Sequence, residues 1–262
     1  MLLAFDVGNT NIVVGVFKDE QLIANWRLQT DRVKSADEYG MVIYQLFAHA
    51  GLDPKDVKDV IISTVVPSVL FTLQHVSQKY FGSQAIVVES GVKTGLIVKY
   101  DNPKQVGADR IVNAVAVLAK YGGPAIIIDT GTATTFCAVT EKGEYLGGAI
   151  APGMKISAES LFVKTAQLPN IELEKPERVI CRNTIESMQA GLVYGHMGMV
   201  EYIVGRMKEE LAEHAISDKP IQVIATGGMA YMIDEGVDCI DVIDKELTLD
   251  GLLLIYNKNK KK

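Results

Sequence analysis

The chain has 262 residues, 48% of them hydrophobic and 22% charged, enough apolar material to bury one large core or two modest ones. Its formal net charge of −6 argues against nucleic acid as the main partner, so an anionic ligand would have to be held locally. No run approaches the roughly eighteen uninterrupted apolar residues of a membrane span, the start shows no signal-peptide pattern, and three cysteines (Cys137, Cys181, Cys239) without C-x-x-C spacing indicate neither a disulfide framework nor a zinc site, so a cytoplasmic protein with no membrane partner is expected.

Leu2 to Phe17 reads as strand, tight polar turn, strand, with Asp6 at the end of the first strand. A buried carboxylate there needs a partner. Its own turn is one candidate and a metal-bound phosphate another. A third strand follows at Leu22–Trp26. Ser35-Ala36-Asp37-Glu38 is an S-x-x-E capping box, and Tyr39, Val42, Ile43, Leu46 and Phe47 at helical spacing predict a helix to near Gly51. Val57–Val65 predicts a buried strand, Pro67 opens a helix through Tyr80, and Ala85–Val88 is a strand again. This alternation indicates an α/β sheet. Leu96–Tyr100 is a short strand and Asp101–Gly107 a loop of turn residues, which delivers Asp109 and Arg110 to the start of a helix.

The opening pattern then recurs. Ala125–Asp129, Thr130-Gly131-Thr132 and Ala133–Val139 again place an Asp-x-Gly and hydroxyl-rich turn between apolar strands, and the third strand again follows, at Tyr145–Ala149. Pro152-Gly153 leads into a helix expected to run to about Gln167. A long helix is expected from Thr184 to about His214, with Gly191, Gly195 and Gly198 suggesting close packing. Its Gly/Met-rich face reads as core or subunit interface. Ile221–Ile224 is a strand ending in Ala225-Thr226-Gly227-Gly228, an arrangement suited to a nucleotide approaching backbone. The last helix is expected from Leu247 to about Tyr256, with Asn257–Lys262 a solvated basic tail. Four scattered histidines (His49, His75, His196, His214) lack ligand spacing and read as structural or surface residues.

None of these glycine motifs is specific alone. Together, Asp-Val-Gly-Asn-Thr-Asn at 6–11, Asp-Thr-Gly-Thr at 129–132 and Ala-Thr-Gly-Gly at 225–228 resemble the actin-like ATPase and sugar-kinase superfamily, and Gly107-Ala108-Asp109-Arg110 after Tyr100-Asp101-Asn102-Pro103 resembles the type III pantothenate kinases. The resemblance implies an α/β protein of two duplicated actin-like (ribonuclease H-like) halves, residues 1–118 and 119–262, each a mixed sheet flanked by helices and closing around ATP and Mg²⁺. It implies that Asp6, Val7, Gly8, Asn9, Thr10 and Asn11 form the first phosphate loop, with Asp6 organising Mg²⁺ through water. Gly131 and Thr132 would meet the phosphates from the second half, Asp129 would ligate a monovalent cation (K⁺ or NH₄⁺), and Gly227 and Gly228 would pass near the adenosine. Tyr100, Gly107, Ala108, Asp109, Arg110 and Thr184 match pantothenate-contacting positions, and Asp109 is assigned as general base. Arg110 also suits a substrate carboxylate as a fixed, forked cation, although without the motif such a residue in a helix's first turn reads as a surface ion pair. The activity implied is ATP-dependent phosphorylation of pantothenate, the first step of coenzyme A biosynthesis, by a homodimer.

Two other readings bear on these residues. Asp-Thr-Gly is also the aspartic-protease loop, but those proteins are almost all β, and the stretch 184–214 is helical. A non-catalytic nucleotide-dependent regulator on the same fold would have no reason to keep Tyr100, Asp109 and Arg110 together.

Overall fold

The computed structural model describes residues 1–260, which divide into two compact units. The first comprises Met1–Gly95, Asn102–Ala116 and the C-terminal segment from Thr248. Its strands β1 (Leu2–Val7), β2 (Asn11–Lys18) and β3 (Gln21–Gln29) form an antiparallel meander, and β4 (Asp59–Thr64) and β5 (Ile86–Val87) extend it in parallel, in the order β3-β2-β1-β4-β5. The alternation of side chains along a strand decides what each face buries. Leu3, Phe5 and Val7 share one face with Ile12, Val14, Val16, Val60 and Ile62, and helices α1 (Ala36–His49) and α2 (Pro67–Phe81) cover that face with Tyr39, Ile43, Phe47, Val69, Leu73 and Val76. Each such burial contributes about 1.5–3 kcal/mol relative to exposure.

Local chemistry sets the helix ends. Ser35 and Glu38 form both capping-box bonds of α1. Pro67 opens α2, and Gly82, at φ +61°, closes it. Helices α3 (Ala108–Lys120) and α7 (Leu247–Asn259) complete the first unit where their residues fall within it. A side chain on Gly15 would run into Leu249, one on Gly251 would run into the Val112 carbonyl, and Thr248 Oγ1 donates to Asn113 Oδ1 at 2.7 Å.

The second unit comprises Leu96–Asp101 and Val117–Leu247. Its sheet contains β6 (Ile97–Val98), β7 (Ala125–Thr130), β8 (Ala133–Val139), β9 (Glu144–Pro152), β10 (Gln222–Thr226) and β11 (Val242–Ile243), in the order β11-β10-β7-β8-β9-β6. Helices α4 (Met154–Lys164), α5 (Thr184–Ala212) and α6 (Ala230–Asp234) belong to it, and Val193, Met197, Val200 and Val204 of α5 pack on Ile126, Ile128 and Phe136. Without β6 the order repeats that of the first sheet. The meander β7-β8-β9 is antiparallel, with β10 and β11 parallel to β7, as β4 and β5 are to β1. β1 and β7 also share one burial pattern, in which only the fifth residue, Asp6 or Asp129, is partly exposed. The duplication read in the sequence is therefore a duplication of topology.

Four expectations differ from the structure. The first unit continues to Ala116 and regains the chain from Thr248, because α7 packs on Gly15 and Val112, while Leu96–Asp101 joins the second unit through the β6–β9 pairing. α4 stops at Lys164, not near Gln167. α7 continues to Asn259, whose side chain holds the Lys93 backbone at both ends, accepting from its N–H and donating to its C=O; Lys261 and Lys262 of the expected tail lie outside the described residues. Gly191, Gly195 and Gly198 do not mark close packing within the chain: a Cβ on any of them would meet nothing within 4 Å.

Candidate active site

In the first unit, Asp6 stands at the carboxyl end of β1, in register with Ser63 of β4. The turn after it is closed by Gly8 N–H donating to Asn11 O at 2.9 Å. It is tied to the end of β3 as well: Thr30 Oγ1 donates to Gly8 O at 2.7 Å, and Thr30 N–H donates to Thr10 O at 2.9 Å. Asn9, Thr10 and Asn11 are exposed, so this polar turn faces solvent. The strand pair leads directly to the second group of expected residues. Val65 donates to Val7 O, and the Val65 side chain lies 3.6 Å from where Gly107 would carry a Cβ. The expected first phosphate loop and the Gly107–Arg110 segment thus share the carboxyl edge of one sheet.

Gly107 has a steric reason to be glycine. A Cβ there would sit 2.5 Å from Asp109 Oδ1, which accepts the Arg110 N–H at 2.8 Å. Burial pushes the Asp109 carboxyl above its usual range, against the lowering effect of the Arg110 amide and guanidinium. Arg110 is only 5% exposed, so it is a buried cation rather than the surface ion pair that a first-turn arginine suggests. A raised carboxylate adjoining a buried guanidinium can accept a proton and hold an anion at one place.

In the second unit, Asp129 occupies the position on β7 that Asp6 holds on β1, in register with Thr226 of β10. Thr130 Oγ1 donates to Thr226 O at 3.0 Å, joining the strand that ends in Asp-Thr-Gly to the strand that ends in Thr-Gly-Gly. Gly227, at φ +94°, brings the two ends together. A Cβ on it would lie 2.6 Å from Thr130 N and 2.7 Å from Asp129 Oδ1. Gly153, a residue the sequence reading did not single out, supports the Gly131–Thr132 turn from below: its N–H donates to Thr132 O at 3.1 Å, and a Cβ would lie 2.6 Å from Gly131 O and nearer still to Thr132 O. A glycine between a strand and a helix N-terminus was the available signal. Tyr100 lies on Gly147 of β9, whose Cβ position is 3.3 Å from the ring, within the second unit. Thr184 is exposed at the first residue of α5, on neither loop.

A cleft of about 530 Å³ opens at the same carboxyl edge, lined by Lys120, Tyr121, Tyr231, Ile243, Asp244, Lys245 and Glu246. Asp244 follows the last residue of β11 and donates its N–H to Ala225 O, which places it two strands from Asp129, roughly 10 Å away. Burial raises the Asp244 pKa, but hydrogen bonds from Lys120 Nζ (2.6 Å) and Tyr121 OH (2.8 Å) together outweigh it and leave the carboxyl below its usual range. In open parallel sheets the carboxyl ends of strands are where ligands bind, and this edge carries carboxylate, hydroxyls, glycine backbone and an aromatic cleft.

The donor sets fit hard cations. Ser63, the register partner of Asp6, keeps a buried hydroxyl oxygen without a hydrogen-bond partner, and Asp129 Oδ1 lies in the space left by Gly227 and Gly131. Among the described residues no three His, Cys, Asp or Glu side chains converge as a metal cage. A cation at Asp6 or Asp129 would therefore complete its shell with ligand oxygens, hydroxyls and water. Among the same residues no helix is long and apolar enough to cross a membrane.

Comparison with solved structures places the architecture. A Campylobacter jejuni protein assigned to the Baf family of transcriptional activators superposes with a TM-score of 0.60 at 19% identity, covering 98% of each chain. The ethanolamine utilization protein EutJ of Carboxydothermus hydrogenoformans gives 0.52 at 16% identity, over 97% of this chain and 89% of that one. A Porphyromonas gingivalis protein assigned as an N-acetylglucosamine kinase gives 0.51 at 12% identity, over 99% of both. At these identities the likeness establishes the duplicated actin-like fold of sugar kinases and ATPases and nothing finer. The family model described as type III pantothenate kinase matches residues 2–206, which include both Asp-x-Gly strand ends and the Gly107–Arg110 segment, and the chain belongs to that family.

Proposed function

We propose that the protein transfers the γ-phosphoryl group of ATP to the 4′-hydroxyl of pantothenate. The observation that carries this reading is the pair Asp109 and Arg110, a proton acceptor of raised pKa and a buried guanidinium on one helix turn, at the sheet edge that also bears the Asp6–Asn11 loop. Pantothenate offers the matching groups, a hydroxyl that must lose a proton and a carboxylate. The hydroxyl oxygen attacks the γ-phosphorus, its proton passes to Asp109, and the bond to the bridging oxygen breaks to release ADP. Phosphoryl transfer leaves little covalent work to the protein, so positioning and neutralisation of charge supply most of the rate.

Asp6 and the exposed Asn9–Asn11 segment of the turn are suited to the phosphates with Mg²⁺, and Asp129 to K⁺ or NH₄⁺. When bound, these ions would neutralise phosphate charge. Gly131 and Thr132 take the phosphates in the second unit, and Tyr231, on the shallow open cleft beside Asp244, offers an aromatic face to the nucleoside. Tyr100 and Thr184 remain candidate pantothenate contacts. A homodimer is supported by α5, where Gly191, Gly195, Gly198, Tyr202 and Gly205 recur at helical spacing, all exposed, with open space above the four glycines. Such a stripe lets a second helix approach closely. A metabolic kinase of this kind is expected in the cytoplasm.

The deciding experiment is a coupled assay of ADP release with and without pantothenate. Turnover that requires pantothenate is the expected result. Hydrolysis indifferent to it would favour the nucleotide-dependent regulator on the same fold.

A further inference from the structure

The Gly131–Thr132 turn hangs between two strand ends, and each end carries a buried threonine, Thr130 on β7 and Thr134 on β8, which are register partners. They lie on the face of the sheet that packs against α5, because Ile126, Ile128 and Phe136 on that face belong to the core beneath α5. The Thr130 hydroxyl is bonded to Thr226 O. The Thr134 hydroxyl lies 3.0 Å from Nε2 of His196, in the middle of α5. His196 is only 7% exposed, and burial holds its imidazole below the usual pKa, in the neutral form that can exchange one hydrogen bond with a hydroxyl. A threonine and a histidine in an otherwise apolar interface of Val193, Met197 and Val200 are costly there unless bonded to each other.

We propose that His196 is a positioning residue for phosphoryl transfer: through Thr134 it fixes the β8 root of the Gly131–Thr132 turn, and so sets where Thr132 meets the phosphates. The chain of contact is short. Thr132 is separated from Thr134 by Ala133 alone, and the other root is fixed by Thr130 and the turn's underside by Gly153. Removing the histidine frees the side-chain tie at the β8 root and leaves the backbone ladder of β7, β8 and β9 in place. The fold retains its core, but the turn samples positions in which Thr132 and the adjacent amides no longer converge on a phosphate. The inference rests on the proposed nucleotide role of this turn, not on the identity of the acceptor.

The test uses His196→Phe, which keeps a planar ring and removes the nitrogen, His196→Gln, whose amide can renew the bond, and Thr134→Val, which removes the hydroxyl at nearly constant shape. Mg-ATP affinity is read by titration calorimetry without acceptor, KM for each substrate by steady-state kinetics, and integrity by thermal melting. His196→Phe and Thr134→Val should each weaken ATP binding roughly three- to tenfold, the effect of one hydrogen bond of ordinary strength, while KM for pantothenate stays within about twofold. The double variant should be no worse than either single one, and His196→Gln should recover most of the loss. Unchanged ATP affinity in His196→Phe overturns the proposal. So do additive losses in the double variant, or a Gln variant that melts like wild type yet binds ATP as weakly as Phe. If pantothenate is not the acceptor, turnover fails already in the wild type, whereas the dependence of ATP affinity on His196 remains.

Discussion

Replacing Gly153 by alanine isolates the positioning of the second phosphate turn. Gly153 has φ −70° and ψ 160°, a conformation any residue adopts, so alanine brings no backbone strain. Its cost is one methyl group set 2.6 Å from Gly131 O and nearer to Thr132 O, closer than real Cβ atoms come to any neighbour. Both obstacles are backbone, so no side chain can rotate away. The carbonyls must retreat by roughly 0.5–1 Å to reach ordinary contact distance, stretching the Gly153 N–H to Thr132 O bond. A displacement of about 1 Å at a reacting group costs on the order of 10²-fold in rate, and overpacking costs ~1–3 kcal/mol of stability. Gly153→Ala should therefore lower kcat/KM for ATP roughly 10- to 100-fold with KM for pantothenate within about twofold. Gly40→Ala is the control: its methyl would collide with the Tyr80 ring in the first unit, in the contact of α1 with α2. It should lower the melting temperature and leave ATP kinetics alone. If Gly153→Ala has wild-type kinetics at a temperature where it is folded, the turn is not a phosphate site; if the two variants behave alike, the effect is one of stability only.

Asp109→Asn should lower turnover at least ~10²-fold. Because burial raises its pKa, the ionised Asp109 costs the fold stability at pH values above that raised pKa, so the Asn variant should melt no lower than wild type at neutral pH, and the acid limb of wild-type kcat/KM should lie above the ordinary carboxylate range; a variant within a few-fold of wild-type turnover would reduce Asp109 to a helix-capping or substrate-placing role. Tyr231→Ala removes the exposed ring of the cleft beside Asp244 and should raise KM for ATP several-fold while sparing pantothenate; a change confined to pantothenate would reassign the cleft. Activity should depend on K⁺ or NH₄⁺, and equal rates in Na⁺, K⁺ and a bulky organic cation at fixed ionic strength would remove the ion assigned to Asp129. A Cβ on Gly195 has open space around it, so light scattering should show Gly195→Leu converting a dimer to a stably folded monomer; an unchanged mass in solution would move the subunit interface elsewhere.

The strand ends were legible in the sequence because their chemistry is local. Four apolar residues, an acid and a glycine turn identify β1 and β7 without reference to anything distant, and the burial pattern of the two strands is the same residue by residue. The capping box at Ser35 and the Pro67 start are equally local. What escaped the sequence depends on partners far along the chain. α7 packs into the first unit only because Gly251 leaves room for the Val112 backbone and Gly15 leaves room for Leu249, and nothing near residue 250 announces this. The glycines of α5 show the same limit from the other side. A small residue says that something passes close by, and only the fold shows that the chain itself does not. Helical periodicity reads His196 as a structural or surface residue and its burial settles the first, but nothing near position 196 in the chain announces that its neighbour is the threonine at the root of the Gly131–Thr132 turn.

The two copies have diverged in what surrounds the shared carboxylate, and we propose that they do different work. Beside Asp6, the register partner on the next strand is Ser63, a full side chain with a spare hydroxyl, and the turn that follows is bound through Thr30 to the end of β3. A carboxylate so flanked offers a polar surface to a hydrated ion, consistent with Mg²⁺ held through water. Beside Asp129, the register partner Thr226 runs straight into Gly227, whose backbone comes so close that a Cβ on it would lie 2.7 Å from the carboxylate oxygen. We propose on this basis that Asp129, with backbone packed against it, suits an ion that sheds water readily, such as K⁺, better than strongly hydrated Mg²⁺. Gly227→Ala separates the two sites: a methyl 2.7 Å from Asp129 Oδ1, at a φ that disfavours alanine, should abolish the response to K⁺ while leaving the Mg²⁺ dependence of the residual activity unchanged. Loss of both responses together would overturn that separation.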